Sequence, residues 1–251
     1  MRFVDLSSTI ENTSVSPVDQ VSIEYSDHAE GAQGIEGMLG VPARLLRDGE
    51  GWAVETIAQL STHGATHVDA PYHYNSTIDG KPAQTIDELP LEWFFSDGVK
   101  LDMTHKGDGD AVTVADIQSS LEAMSYTLKP LDIVLVQNNA DNYYGQPDYM
   151  MHGCGVTAEA THWLYDQGVR VMGIDAWGWD RPLHLQAQEA LEKDAEGIFW
   201  EAHQADLAYS QIERLMHLDQ LPATGFQIAC FPLKIKGASA APARVVALLD
   251  D

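Results

Sequence analysis

Cysteine is almost missing from this sequence: Cys154 and Cys230 are the only two in 251 residues, and neither sits in a CxxC spacing. That excludes a disulfide framework and a structural zinc knuckle, and it fits reduced thiols in a cytoplasmic protein. Basic residues are scarce too, with 14 Lys and Arg against 38 Asp and Glu and a formal net charge of -24. Such a surface repels nucleic-acid phosphates and anionic lipid over roughly a Debye length, ~8 Å at physiological salt, so neither nucleic acid nor membrane is an expected partner. Long apolar runs are lacking: nothing reaches the ~18 residues of a membrane span, and "MRFVDLSSTI" has no charged segment followed by an apolar stretch. No export or anchoring signal is expected. Repeats, low-complexity tracts and linkers are also absent, so one domain over residues 1–251 is the expectation, with 45% hydrophobic residues to supply its core.

What is present reads as a mixed α/β chain. Up to about residue 60, the turn-prone "TSVSPVD" and "GAQGIEG" interrupt any periodicity, so short strands and loops are expected. "TIDELPLEWFF" offers a short helical turn, and Thr113 can cap "VADIQSSLEAM", where Ile117, Leu121 and Met124 recur at helical spacing. "DIVLVQ" at 132–137 is a continuous apolar run suited to a buried strand, followed by the polar loop "NNADNYYG". Thr157 opens a helix that Gly168 stops, and "VRVMGI" follows as a strand. Ligands of α/β proteins sit beyond strand ends, which makes Asn138, Asn139 and Asp175 candidate site residues. From Gln186 to Leu221 the composition predicts mostly helix with a break near Gly197; "GFQIACFPLKIKG" and "ARVVALL" read as closing strands.

One stretch carries chemistry. "STHGATHVDAPYHYNST" puts His63, His67, Asp69 and His73 within eleven positions. Gly64, the β-branched Thr66 and Val68, and Pro71 oppose a helix, so a turn leading into a short strand is expected. On a strand His67 and Asp69 point the same way. Fully extended, His63 and His67 would lie ~13 Å apart, so a bend at Gly64 is needed if both are to reach one ion. Two imidazoles and a carboxylate suit Zn²⁺, Mn²⁺ or Fe²⁺ and leave positions open for water and substrate. His73 lies beyond Pro71, where the chain turns, and could work as an acid/base without being a ligand. For a single histidine the plain alternative is a loop or core residue; the four together point to a metal.

Further on, "HQADLAYSQIE" spaces His203 and Glu213 ten apart, with Gln211 between them, in predicted helix. Ten residues is near three turns, so the two ends share a stripe that faces either a pocket or water. Trp52, Tyr72, Tyr74, Trp93, Trp177 and Trp179 could stack on a planar substrate ring, or simply pack the core.

"HGATHVDAPYH", with "VDLSSTI", "GCGVTAEATHWLYDQGVRVMGIDAWGWDRP" and "FPLKIKGASAAPARVVAL", resembles the cyclase family of metal-dependent hydrolases, the group of kynurenine formamidase and isatin hydrolase. The resemblance covers nearly the whole chain and is strongest to the isatin-hydrolase-type branch. It implies a swivelling β/β/α fold, a homodimer or higher homo-oligomer, a divalent metal, Mn²⁺ or Zn²⁺, at His63, His67 and Asp69, and His73 as acid/base. In the formamidase pattern His203 and Glu213 would hold a second ion; in the isatin-hydrolase pattern a single Mn²⁺ is expected and His203 touches substrate, so both stay open, as does the part of Gln211. The implied reaction is hydrolysis of a non-peptide C–N bond, in a cyclic amide such as isatin or an aryl formamide such as N-formylkynurenine, by a metal-activated water. A metal-dependent lyase, dehydratase or cyclase acting on a small molecule is the alternative.

Overall fold

The structure, a computed structural model, describes residues 1–13 and 20–249; most of the turn-prone "TSVSPVD", residues 14–19, lies outside the described residues. The chain divides into two compact units, residues 1–9 with 65–251, and residues 10–64.

The larger unit is built on a nine-stranded sheet. Its strands in chain order are β1 (Arg2–Asp5), β2 (His67–Asp69), β3 (Phe95–Asp102), β4 (Ile133–Gln137), β5 (Val171–Ile174), β6 (Ser210–Glu213), β7 (Phe226–Ala229), β8 (Ala240–Pro242) and β9 (Val246–Leu249). Across the sheet they run β1-β9-β7-β3-β4-β5-β6-β2-β8. The central pairs from β3 through β6 are parallel and the outer pairs antiparallel. Parallel strands are covered on both faces, which is why β4 is buried along its whole length and reads as an unbroken apolar run.

Alternation along the strands divides the core in two. Val134, Val136, Met172 and Ile174 face the helices Val114–Ala123 and Ala158–Asp166, meeting Ile117, Leu121, Ala160, Leu164 and Trp179. Ile133, Leu135, Val171 and Ile212 face the other way, onto Leu6, Phe94, Leu215 and Leu218 from loops and short turns. Each fully buried Leu or Ile contributes roughly 1.5–3 kcal/mol, so both faces are needed. Gly98 on β3 lies opposite Phe226 on β7, and a Cβ there would come within 2.1 Å of the Phe226 ring.

Local chemistry sets the helix ends as the sequence suggests. Thr113 and Asp116 form a capping box, Thr157 accepts from the Ala160 N–H, and Gly168 takes φ 93 just past the second helix. "TIDELPLEWFF" becomes two short 3-10 turns, Ile86–Glu88 and Leu91–Phe94.

Two expectations are corrected. Within 186–221 the α-helix ends at Lys193 in Leu183–Lys193, a 3-10 turn forms at Leu218–Gln220, and Ser210–Glu213 is a strand. Pairing with β5 on one side and β2 on the other overrides the local helical preference there. In the smaller unit, the antiparallel strands Val21–Ser26 and Val54–Leu60 are joined by a segment that includes a twelve-residue helix, His28–Leu39, where only strands and loops are expected. Its glycines hide it, but its ends are explicit: Asp27 and Glu30 form a capping box and Gly40 closes it at φ 69. Gly31 is required on that helix, since a Cβ would reach 1.8 Å from the Trp52 carbonyl oxygen. No helix among the described residues is long and apolar enough to cross a membrane.

Candidate metal centre

The site lies where the antiparallel side of the sheet begins. After a bend at residues 64–66, His67–Asp69 enters the sheet as β2, between β6 and β8. Positive φ falls on Ala65 (58°), one residue later than the expected hinge at Gly64. His67 and Asp69 share a strand face, and His67 Nε2 is 3.3 Å from Asp69 Oδ1. The register of β6 against β2 sets Glu213 opposite His67, with Oε2 at 3.5 Å from the same Nε2.

Hydrogen bonding fixes which nitrogen faces the carboxylates. His67 Nδ1 lies 2.9 Å from the Ala65 carbonyl oxygen, which only accepts, so Nδ1 carries the hydrogen. Nε2 is left for the carboxylates. Separations of 3.3 and 3.5 Å are long for charge-assisted hydrogen bonds, ordinarily ~2.7–2.9 Å. They match donors held ~2.0–2.2 Å from one tetrahedral ion, which stand ~3.4 Å apart. His67, Asp69 and Glu213 are all buried. Two carboxylates and an imidazole brought together out of water fit a divalent cation as hard, borderline ligands.

The electrostatics agree. Burial alone would make His67 less basic, but Asp69 and Glu213 reverse this and raise its pKa to about 9. His203 behaves in the same way, reaching about 10 between Asp180 and Glu213. For Glu213, burial and the Asp69 charge push upward, and the facing imidazoles of His203 and His67 outweigh them, so it is held below the usual carboxylate range. In the cation-free protein, protons on the imidazoles balance the carboxylates.

Every candidate named from the sequence can be located. His73 lies on the helical turn Pro71–Tyr74, its ring 5.1 Å from Trp200 and 5.7 Å from His203 between centroids. His203 is buried and its Nε2 is 3.5 Å from Glu213 Oε1, so the two do meet. They meet because a loop carries His203 to the end of β6, and no shared helical stripe is involved. Gln211 shares the strand face of Glu213, and its amide donates to the Tyr209 hydroxyl. His63 belongs to the smaller unit, in the turn after Val54–Leu60, where its N–H donates to Ser61 Oγ at 3.2 Å.

Other candidates serve the framework. The Asp175 carboxylate accepts the N–H groups of Asn138 and Asn139 at 2.8–3.1 Å, tying the ends of β4 and β5 together. Trp179 is core, its Nε1 donating to Thr161 at 2.9 Å, while its backbone N–H reaches Glu213 Oε1 at 3.1 Å. Trp177 lies under the Arg214 guanidinium, 4.9 Å from the ring centroid. Tyr74, from the expected aromatic set, packs on the site, edge-on to His203 at 5.3 Å. Cys154 and Cys230 are buried, and burial pushes the Cys154 thiol up to about 11, which removes it as a nucleophile.

Two residues escape sequence reasoning. Trp200 stacks on His203 with centroids 4.4 Å apart and an interplanar angle of 20°. Asp180 contacts His203 Nδ1 at 2.5 Å. Neither belongs to a spaced motif; the acidic pair within "GIDAWGWD" is the one signal that could have raised Asp180.

Known proteins resemble this chain in sequence and in fold. The kynurenine formamidase of Maricaulis maris is 29% identical over 187 residues, 74% of this chain and 77% of its own. That of Salinibacter ruber is 29% identical over 200 residues, 75% and 76% of the two chains. In fold, isatin hydrolase A of Labrenzia aggregata matches with a TM-score of 0.74 at 23% identity, over 100% of this chain and 94% of that one. Isatin hydrolase A of Ralstonia solanacearum matches with a TM-score of 0.75 at 23% identity, over 99% and 92%. The α/β fold expected from the resemblance is the fold observed. The Cyclase family model matches residues 4–181, more than half of the sequence, and the chain therefore belongs to the cyclase family.

Proposed function

We propose that this protein is a metal-dependent hydrolase of a non-peptide amide C–N bond in a small molecule. The observation that carries the reading is the convergence of two buried carboxylates on one imidazole nitrogen, Asp69 Oδ1 at 3.3 Å and Glu213 Oε2 at 3.5 Å from His67 Nε2. The kynurenine formamidase and isatin hydrolase relatives support the amide as the substrate class.

His67 and Asp69 would hold the cation, with His63 as the third ligand; Glu213 and His203 would serve a second ion or the substrate, and Gln211 lies beside them. A divalent cation bound there would supply Lewis acidity, making water acidic enough to attack near neutral pH and polarising the amide carbonyl. His73 takes the proton from the attacking water and returns it to the departing nitrogen, a role open to an imidazole near neutral pH. The rings of Tyr74 and Trp200 beside His73 and His203 give a planar substrate an apolar wall. No serine or cysteine nucleophile is required.

Mn²⁺ or Zn²⁺ suits this donor set. Residues 1–251 are read as one hydrolase domain. Exposed Tyr25, Val54 and Ile57 support a homodimer or higher homo-oligomer, testable by light scattering. The free cysteines support a reducing, cytoplasmic setting.

The test is turnover of isatin and N-formylkynurenine, and of related cyclic and aryl amides, by protein supplied with Mn²⁺ or Zn²⁺. Chelator-sensitive release of one carboxylic acid per amide supports hydrolysis; turnover without acid release makes the protein a lyase, and no turnover across the series rejects the reading.

A further inference from the structure

We propose that Asp180 is a positioning residue: it holds His203 by the hydrogen on Nδ1, so that Nε2 is the ring nitrogen turned to Glu213 and the one freed when a divalent cation displaces its proton.

The argument begins with what surrounds the carboxylate. Asp180 lies in the turn between β5 and the helix Leu183–Lys193 and is buried. Its Oδ1 accepts the Ala202 N–H at 2.9 Å and the Gln186 side-chain amide at 3.1 Å. Its Oδ2 accepts the His203 N–H at 3.1 Å and faces His203 Nδ1 at 2.5 Å. A carboxylate has about four lone-pair positions, and here each oxygen already receives a backbone donor. Asp180 thus acts as an acceptor, and the ring nitrogen turned to it carries a hydrogen.

That leaves Nε2, 3.5 Å from Glu213 Oε1. A neutral imidazole offers a lone pair only on the nitrogen without hydrogen, so the choice at Nδ1 decides what the ring offers on its other edge. The support is rigid. Gln186 is fully buried, and while its Nε2 holds Asp180 its Oε1 accepts the Trp200 N–H at 2.5 Å. One side chain therefore steadies both the carboxylate at the edge of His203 and the indole stacked on its face. Trp200 sits at φ 61, a left-handed backbone unfavourable for a side chain of this size and held by such contacts. A clamp that only tied down the loop would need the backbone bonds to Ala202 and His203; the bond to Nδ1 goes further.

The inference rests on His203 being a donor or substrate contact of the proposed site, and it can fail separately, because a tautomer is measurable whether or not any amide is hydrolysed. The experiment is two-bond ¹H–¹⁵N correlation on protein labelled at histidine and loaded with diamagnetic Zn²⁺. His203 is expected to show a hydrogen on Nδ1, with Nε2 carrying either zinc or the second proton of the imidazolium. A hydrogen on Nε2 with none on Nδ1 overturns the proposal without any substitution. In Asp180→Asn the amide can still accept from Gln186 and Ala202 but offers an N–H to Nδ1. His203 should then move its hydrogen to Nε2 while the His67 signals stay, with about a 10–100-fold fall in turnover or in zinc affinity. If Asp180→Asn keeps the original tautomer, Asp180 is a loop clamp and the proposal is wrong, even where turnover falls.

Discussion

Glu213 stands opposite His67 across the antiparallel pairing of β6 and β2, with Oε2 3.5 Å from His67 Nε2. The two residues are 146 positions apart, and the sheet register brings them together.

That opposition predicts what each acid contributes. Glu213→Gln should leave a folded protein whose affinity for Mn²⁺ or Zn²⁺, read by calorimetric titration, falls by at least about tenfold. Asp69→Ala should lose both bound metal and turnover. Unchanged affinity in Glu213→Gln would mean that this carboxylate faces substrate and no ion.

His73 should separate binding from chemistry. His73→Ala is expected to keep its metal, measured by elemental analysis, and to lose about 10²–10⁴-fold in turnover as an acid/base is removed. Full activity would take its role away.

Cation binding should release protons. Without a cation, burial lowers the basicity of His67 and the neighbouring Asp69 and Glu213 raise it further, to about 9. Below that pH an entering cation must displace the proton, so apparent affinity rises as pH rises towards 9 and levels off above. Calorimetry at pH 7 in two buffers of different ionisation enthalpy should report about one proton or more released per cation. Zero release contradicts the assignment of His67 as a ligand.

The helix Val114–Ala123 should be sensitive to acid through its cap. Burial raises Asp116, but the hydroxyl and N–H of Thr113 and the ammonium of Lys106 at 3.0 Å bring it down to about 2. A depressed folded-state value means that this stabilisation is whole above ~4, the unfolded carboxylate pKa, and drains away as pH falls to about 2. Asp116→Asn should cost about 1 kcal/mol at pH 7, a figure already reduced by solvent screening, and close to nothing at pH 2. Urea melts at both pH values measure the difference.

Much of this molecule was legible before any coordinates. "DIVLVQ" is apolar because β4 has parallel neighbours on both sides, and Thr113 and Thr157 announce helices through the N–H groups they satisfy. "HGATHVDAPYH" carries its spacing openly, since two residues apart on a strand is a local property. Glu213 was legible only as a spacing to His203 in a segment that leans towards helix, and through resemblance; its strand state comes from β5 and β2 lying on either side. Asp180 and Trp200 were out of reach for the same kind of reason, because their meaning depends on a loop that folds back over His203. The helix at 28–39 was hidden by its glycines, even though Asp27, Glu30 and Gly40 mark both ends.

The pairing of β6 with β2 works like a vernier. Ile212 sits beside Glu213 and is matched to Val68, both of them in the greasy layer under the sheet. Slipping the pair by a single residue would bring the isoleucine to the histidine and bury the acid in hydrocarbon. Inserting or deleting one residue within 210–213 should therefore be far more damaging than any side-chain replacement there, and a lineage that carries this chemistry is not free to change the length of that strand.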